Sequence, residues 1–204
     1  MNKKIAVFID RDGTINREAG YINHESKMEL LQNSSKAIKL LNDNNILAIV
    51  CTNQSGIARG YFDEKLLEKI HSRMITLLEL DSAKIDDIFY CPHHISSAIE
   101  KYKKDCNCRK PKTGMLDNAA KKYSIDLQKS YIIGDKYTDV IWGHKARAKS
   151  ILVLTGYGQG EYEYQSDSWE EKPDYIAVDL YEACKWILED IKKTQYFKKY
   201  DKNI

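Results

Sequence analysis

The stretch Ile5-Ala6-Val7-Phe8-Ile9-Asp10-Arg11-Asp12-Gly13-Thr14 puts two carboxylates, one residue apart, at the end of a short apolar run. A run of this kind, with too little alternation to leave one face wet, reads as a buried strand of a parallel sheet. In open α/β sheets, ligand chemistry gathers beyond the carboxyl ends of the strands. The chain therefore aims Asp10 and Asp12 into a crevice. Gly13 lets the backbone turn away, so that both acids can point into one space. Such a pair suits phosphoryl transfer: one acid attacks phosphorus, its neighbour handles the proton, and both help to hold a magnesium ion.

Outward from this strand the pattern alternates. Ser34 to Asn44 reads as a helix and Ile46 to Cys51 as a second buried strand. Asp63 is placed to cap a helix that runs to Glu79, with Leu66, Leu67, Ile70, Met74, Leu77 and Leu78 at helical spacing. Ile85 to Tyr90, Tyr131 to Ile133, Ile151 to Leu154 and Tyr175 to Val178 read as further strands. Gly114 to Tyr123, Asp139 to Ala148 and Asp179 to Ile191 read as further helices. Strands alternating with helices predict an α/β fold, a parallel sheet with helices on both faces. Residues 1–191 form one domain on this reading, and the charged tail 192–204 frays. Residues 91–112 show neither helical nor strand period, and such a stretch inside a compact domain is usually functional.

With 204 residues the chain is long enough for one domain with a real core. A net charge of +2 does not indicate a nucleic-acid footprint. No segment is long and apolar enough to cross a bilayer, and the opening residues do not resemble a signal peptide, so a cytoplasmic location is expected. The absence of a long heptad seam favours a monomer. The five cysteines do not suggest a disulfide framework in that compartment. Cys51 and Cys184 read as packing residues.

Three further clusters carry chemistry. Thr52-Asn53-Gln54-Ser55-Gly56 follows the second strand and offers hydroxyl, amide and backbone N–H groups to phosphoryl oxygens, with the cation Arg59 shortly beyond. Gly134-Asp135-Lys136 follows a later strand, and Asp135 can complete a magnesium site with Asp10 and Asp12. Asp139 is either an acid behind that site or the N-cap of the next helix. Cys91-Pro92-His93-His94 and Cys106-Asn107-Cys108-Arg109-Lys110-Pro111 supply three thiols and an imidazole, a closed tetrahedral set for structural zinc. The Cys-x-His spacing favours His93 over His94. A zinc staple in this loop would hold the cations Arg109 and Lys110 ready for a phosphate.

In this order the clusters resemble the haloacid dehalogenase superfamily. The match is Asp10-x-Asp12-Gly13-Thr14, then Thr52, Lys110, and Gly134-Asp135 with Asp139. Gly20-Tyr21, Thr52 to Gly60 and the zinc loop narrow the resemblance to the D-glycero-D-manno-heptose-1,7-bisphosphate 7-phosphatase family. The resemblance implies a three-layer Rossmann-like domain with a minimal cap and a zinc-stapled loop. It implies that Asp10 is the nucleophile, that Asp12 is the general acid and base, and that Thr52 and Lys110 hold the phosphoryl oxygens. Magnesium would be bound by Asp10, the Asp12 carbonyl and Asp135, and zinc by Cys91, His93, Cys106 and Cys108. Gly20, Tyr21, Asn53, Gln54, Ser55 and Arg109 would line the side of the sugar and distal phosphate, with Lys136 at the edge. Histidinol-phosphate phosphatase is the main alternative, and the long interval from Pro92 to Asp105 argues against it. The sequence departs from the family pattern at Trp142, before Gly143, and at Arg147, where a glycine is usual. Both put the packing and exit of that helix in question.

Overall fold

A computed structural model describes residues 3–200. In chain order the elements are β1 (Ala6–Ile9), α1 (Ser34–Asp43), β2 (Leu47–Asn53), α2 (Glu64–Glu79), β3 (Asp87–Cys91), α3 (Gly114–Tyr123), β4 (Tyr131–Gly134), α4 (Tyr137–Ala146), β5 (Lys149–Val153), α5 (Gly158–Gln165), β6 (Tyr175–Ala177) and α6 (Leu180–Tyr200). The strands form one sheet in the order β3-β2-β1-β4-β5-β6, every neighbouring pair parallel. The chain winds outward from β1 through β2 to β3, then returns to the far side of β1 to lay down β4. The strand order thus reverses between β1 and β4, where α/β sheets open a crevice at their carboxyl edge.

The period-2 alternation of β1 divides the core into two layers. Val7 and Ile9 face Ile38 and Leu41 of α1, Ile70 and Met74 of α2, and Ala183 and Ile187 of α6. Ala6 and Phe8 face Met115, Leu116 and Ala119 of α3 and Trp142 of α4. Both faces of the strand are dry, which explains the unbroken apolar run. Asp63 caps α2 as expected, its carboxylate accepting from the Leu66 N–H at 2.8 Å. Asp179 does the same for α6 through the Glu182 N–H at 2.8 Å. Cys51 and Cys184 are fully buried in the core, in keeping with a packing role. Between β1 and α1 the chain forms only one short 3-10 turn and isolated bridges, so the crevice carries a minimal cap.

Four features differ from expectation. Helix α6 does not stop at Ile191 but continues to Tyr200, through most of the segment read as a frayed tail; residues 201–204 lie outside the described residues. Helix α5 was not expected, because Gly158-Gln159-Gly160 opens it and glycine is a poor helix former. Gly158 is nonetheless required, since a Cβ there would overlap the Val153 carbonyl. Helix α4 starts at Tyr137, so Asp139 lies inside its first turn rather than capping it. Trp142 is accommodated in full burial, its indole N–H donating to the Lys112 carbonyl at 3.1 Å.

Arg147 terminates α4 with φ 55° and ψ 31°, the left-handed conformation that a side chain with a Cβ adopts only at a cost. Its side chain is exposed. Arg147→Gly should therefore stabilise the protein by about 0.5–1 kcal/mol. Thermal unfolding should show a midpoint raised by about 2 °C, and a lowered midpoint would contradict the assignment of strain to this residue.

Candidate active site

Four loop ends meet at the reversal point. Pairing of β1 with β4 extends one residue past the strand, the Asp10 N–H donating to the Ile133 carbonyl at 2.9 Å. This sets Asp10 beside Asp135, which follows β4. The space between them exists because Gly13 (φ 80°) and Gly156 (φ 57°) pass close by. A Cβ at either would overlap Asp135 Oδ2, and both backbones are left-handed. The Thr155 hydroxyl ties the two loops together, donating to the Gly13 carbonyl at 2.6 Å.

Lys110 enters from the loop before α3. Its Nζ lies 2.9 Å from Asp10 Oδ1 and 2.6 Å from Asp139 Oδ1, with all three side chains buried. Burial alone would lower the Lys110 pKa, but the Asp10 and Asp139 carboxylates outweigh it and keep the ammonium charged. The Lys110 backbone is held by the Asn53 amide. Asn53 Oδ1 accepts from the Lys110 N–H at 3.1 Å, and its Nδ2 donates to the Lys110 carbonyl at 3.3 Å. Asn53 thus locks the end of β2 to the loop that carries the lysine.

Asp12 turns toward a separate cradle. Arg11 grips it through Nε and Nη2 at 2.7–3.1 Å. Asn16 Nδ2 donates to it at 3.0 Å and Gln54 Nε2 at 2.8 Å. The same Gln54 amide donates to the Thr52 hydroxyl at 2.8 Å. Burial would raise the Asp12 carboxyl, but the Arg11 charge and the hydrogen bonds from Asn16, Arg11 and Gln54 hold it below the usual carboxylate range. Asp12 rests as a carboxylate.

Two groups of side chains can hold metal ions. Ligand atoms of Asp10, Asp135 and Asp139 all lie within 4.8 Å of one another. Asp135 Oδ2 accepts from the Tyr157 N–H, while its Oδ1 is buried without a hydrogen-bond partner. Burial, then the Asp10 charge, pushes the Asp135 carboxyl up to about 8. An orphaned acid oxygen in an all-oxygen cluster is the donor set that magnesium takes. The Asp12 carboxylate is not in this cluster, and Asp139, already tied to Lys110, is. The second group is Cys91, His93, Cys106 and Cys108, whose ligand atoms also lie within 4.8 Å of one another. His93 Nδ1 is 3.4 Å from Cys108 Sγ, and the Cys108 sulfur is 3.2 Å from Cys91 Sγ and 3.1 Å from Cys106 Sγ. Three sulfurs and one nitrogen at these separations can hold zinc. His94 lies outside the group, its Nδ1 accepting from the Ser96 N–H.

The crevice is a cleft of about 430 Å³. Of the residues singled out in the sequence, Asp10, Asp12, Gly20, Tyr21, Thr52, Asn53, Ser55, Arg109, Lys110, Lys136 and Asp139 line it. Asp135, Gln54 and Arg59 do not; Asp135 is fully buried. Gln54 is buried behind the wall, where it joins Asp12 to Thr52, and the Arg59 side chain is exposed outside. Sequence reasoning missed Glu18 and Tyr157. Glu18 Oε1 accepts from the Gly20 N–H and Oε2 pairs with Lys136 Nζ at 3.3 Å; the ammonium also sits 4.5 Å from the centre of the Tyr157 ring. The charged type of Glu18, next to Gly20-Tyr21, was the only available signal.

An acid pair at the reversal point of a parallel sheet, with a buried lysine and a third acid converging on it, defines a phosphatase of the haloacid dehalogenase type. A family model described as HAD-hydrolase-like matches residues 107–183. The D-glycero-beta-D-manno-heptose-1,7-bisphosphate 7-phosphatase of Haemophilus ducreyi is 42% identical over 158 residues, 76% of this chain and 86% of that protein. The D-glycero-alpha-D-manno-heptose-1,7-bisphosphate 7-phosphatase of Photorhabdus laumondii is 38% identical over 161 residues, 78% of this chain and 88% of that one. The crystal structure of D,D-heptose 1,7-bisphosphate phosphatase from B. bronchiseptica, complexed with magnesium and phosphate, aligns with a TM-score of 0.80 at 29% identity. It covers 91% of this chain and 99% of its own. This chain belongs to the D-glycero-D-manno-heptose-1,7-bisphosphate 7-phosphatase family.

A carboxyl raised from 3.8 to about 8 favours the folded state only while it holds its proton. For Asp135 that contribution is complete at low pH and is lost as the pH rises through about 8 in metal-free protein. A bound cation must displace this proton at low pH but not at high pH. Magnesium should therefore raise the unfolding midpoint more at about pH 8.5 than at about pH 6. Equal shifts at both, measured by calorimetry, would contradict a metal site at Asp135.

Proposed function

We propose that this protein removes the 7-phosphate of D-glycero-D-manno-heptose 1,7-bisphosphate in the biosynthesis of nucleotide-activated heptose. The observation that carries this reading is the Lys110 ammonium, 2.9 Å from Asp10 Oδ1 inside a cleft with a second acid, Asp12, on its wall. Names of relatives about 40% identical supply the sugar; none of them supports the histidinol-phosphate alternative. Relatives named for the alpha and for the beta anomer are similarly close, at 38% and 42% identity.

On this reading an Asp10 oxygen attacks phosphorus and the bond to the sugar oxygen breaks. The leaving alkoxide takes a proton from Asp12. Water, deprotonated by Asp12, then attacks the aspartyl-phosphate, releasing inorganic phosphate and restoring Asp10. Asp12 rests ionised; the negative phosphoryl group arriving beside it raises its proton affinity, and it takes a proton from solvent water before donating it to the alkoxide, a proton that it regains from the attacking water in the second step. Thr52 and Lys110 hold the phosphoryl oxygens, and Lys110 offsets the charge of Asp10. Arg109 and Lys136, with Gly20, Tyr21, Asn53 and Ser55, face the sugar and its distal phosphate. Magnesium, held by Asp10, the Asp12 carbonyl and Asp135, would neutralise the phosphoryl charge as nucleophile and ester approach.

Zinc at Cys91, His93, Cys106 and Cys108 would be structural, since four protein ligands leave no open position. Its role is to order the loop that presents Arg109 and Lys110. No helix among the described residues is long and apolar enough to cross a membrane. The reading makes the protein a cytoplasmic monomer acting on a small phosphorylated sugar, without nucleic acid or membrane.

Purified protein should release phosphate from heptose 1,7-bisphosphate, with magnesium, far faster than from histidinol phosphate. Equal or reversed kcat/KM values would remove the heptose assignment. Asp10→Asn should abolish turnover while leaving the unfolding transition intact, and substantial residual activity would point to another nucleophile. Metal analysis should find zinc in the protein as purified. Its removal should cost stability of several kcal/mol and most of the activity; a fully active protein without zinc would refute the structural role.

A further inference from the structure

We propose that His71 is a positioning residue for this reaction, its Nε2 lone pair anchoring the Arg11 guanidinium that in turn orients Asp12. The proposal rests on the phosphatase reading. His71 lies on the inner face of α2, buried beside Leu67, Ile70 and Met74, and is not among the residues lining the cleft. Arg11 is only 1% exposed, so its N–H groups have no water to turn to. Nε and Nη2 form the fork on Asp12, and Nη1 meets His71 Nε2 at 3.1 Å. A guanidinium has only donors, so His71 Nε2 must accept and its ring proton must sit on Nδ1. Burial, with the Arg11 charge adding, pushes the imidazole down to about 3, which keeps that lone pair available at working pH.

The geometry leaves Arg11 two anchors, Asp12 and His71, on opposite edges of one rigid plane. Without the histidine anchor, a buried Nη1 is left unpaired and the guanidinium can rotate, carrying the Asp12 carboxylate with it. Asp12 must meet the leaving oxygen within hydrogen-bond reach, and a displacement of about 1 Å there can cost up to a hundredfold in rate. Substrate contacts on the cleft wall are untouched, so affinity is not affected. The Tyr90 ring makes an edge contact with the His71 imidazole, 6.0 Å between ring centroids.

The test compares His71→Leu, which has no acceptor, with His71→Gln, whose Oε1 can replace Nε2. On heptose bisphosphate, His71→Leu should lower kcat on the order of tenfold with KM within about twofold, and His71→Gln should recover most of the loss. With p-nitrophenyl phosphate, whose leaving group departs without a proton, the single-turnover burst should be nearly unchanged in both variants. Unchanged kcat in His71→Leu, an equal loss with both esters, or no recovery in His71→Gln would overturn the proposal. A second measurement does not depend on the variants' folding. Nitrogen-15 spectra of the wild-type histidines should show His71 as the neutral Nδ1–H tautomer, and an Nε2–H tautomer or an imidazolium would overturn it as well. A wild-type protein that hydrolyses neither ester strikes the phosphatase reading, whereas an active wild type with an unaffected His71→Leu strikes this proposal alone.

Discussion

A single buried ammonium, that of Lys110, makes the rest of the site possible. Asp10, Asp135 and Asp139 bring three carboxyl groups within 4.8 Å of one another, and each is almost wholly removed from solvent. Three charges so placed cannot all remain ionised without compensation. Lys110 reaches two of them, at 2.9 Å and 2.6 Å. The third, Asp135, is left with an unpartnered oxygen and a carboxyl pushed up to about 8. With all three acids ionised these four groups are two positive charges short, and that deficit makes the centre suited to a divalent cation and, with it, an anionic phosphoryl group. Electrostatic need and catalytic use coincide here.

Delivering that lysine is a long-range problem, which the fold solves with two clamps. Lys110 arrives on an irregular loop more than a hundred residues along the chain from β1, where no strand pairing can hold it. Two residues before it stands Cys108, a member of the cysteine and histidine cluster. On its other flank, Asn53 at the end of β2 grips both polar groups of its backbone. The acid Asp12 has its own support in Arg11, Asn16 and Gln54. Gln54 also touches Thr52, so the end of β2 and the residue after it bear on Lys110, Asp12 and the Thr52 hydroxyl together.

The strands and most helices were legible because their patterns are local. The buried run of β1, the capped helix α2 and the helix Gly114–Tyr123 all follow from spacing and a cap within a few residues. The acid pair, Asp135, Lys110 and the four soft ligands were also legible, each sitting at a strand end or in a marked motif. What was not legible depends on direction in space. Nothing in Thr52-Asn53-Gln54-Ser55 says that Gln54 is buried and bonded to Asp12 while Ser55 lines the cleft, or that the exposed Arg59 is not part of its lining. Asp139 looked equally like a helix cap until α4 proved to begin two residues earlier, with the acid turned onto Lys110. Helix α5 was hidden because Gly158 answers to the Val153 carbonyl rather than to helix propensity. Arg147 ends α4 in left-handed geometry although it is not a glycine, at a local cost.

The central claim is that Asp10, Lys110 and Asp135 surround one phosphorus centre. A crystal structure of the protein grown with magnesium and beryllium fluoride, a mimic of the phosphorylated carboxylate, tests it most directly. The account predicts trifluoroberyllate bonded to an Asp10 oxygen, the Lys110 ammonium and Thr52 hydroxyl against its fluorines, and magnesium on Asp135. An adduct on another side chain, or one on Asp10 with Lys110 or Asp135 out of reach, would contradict it.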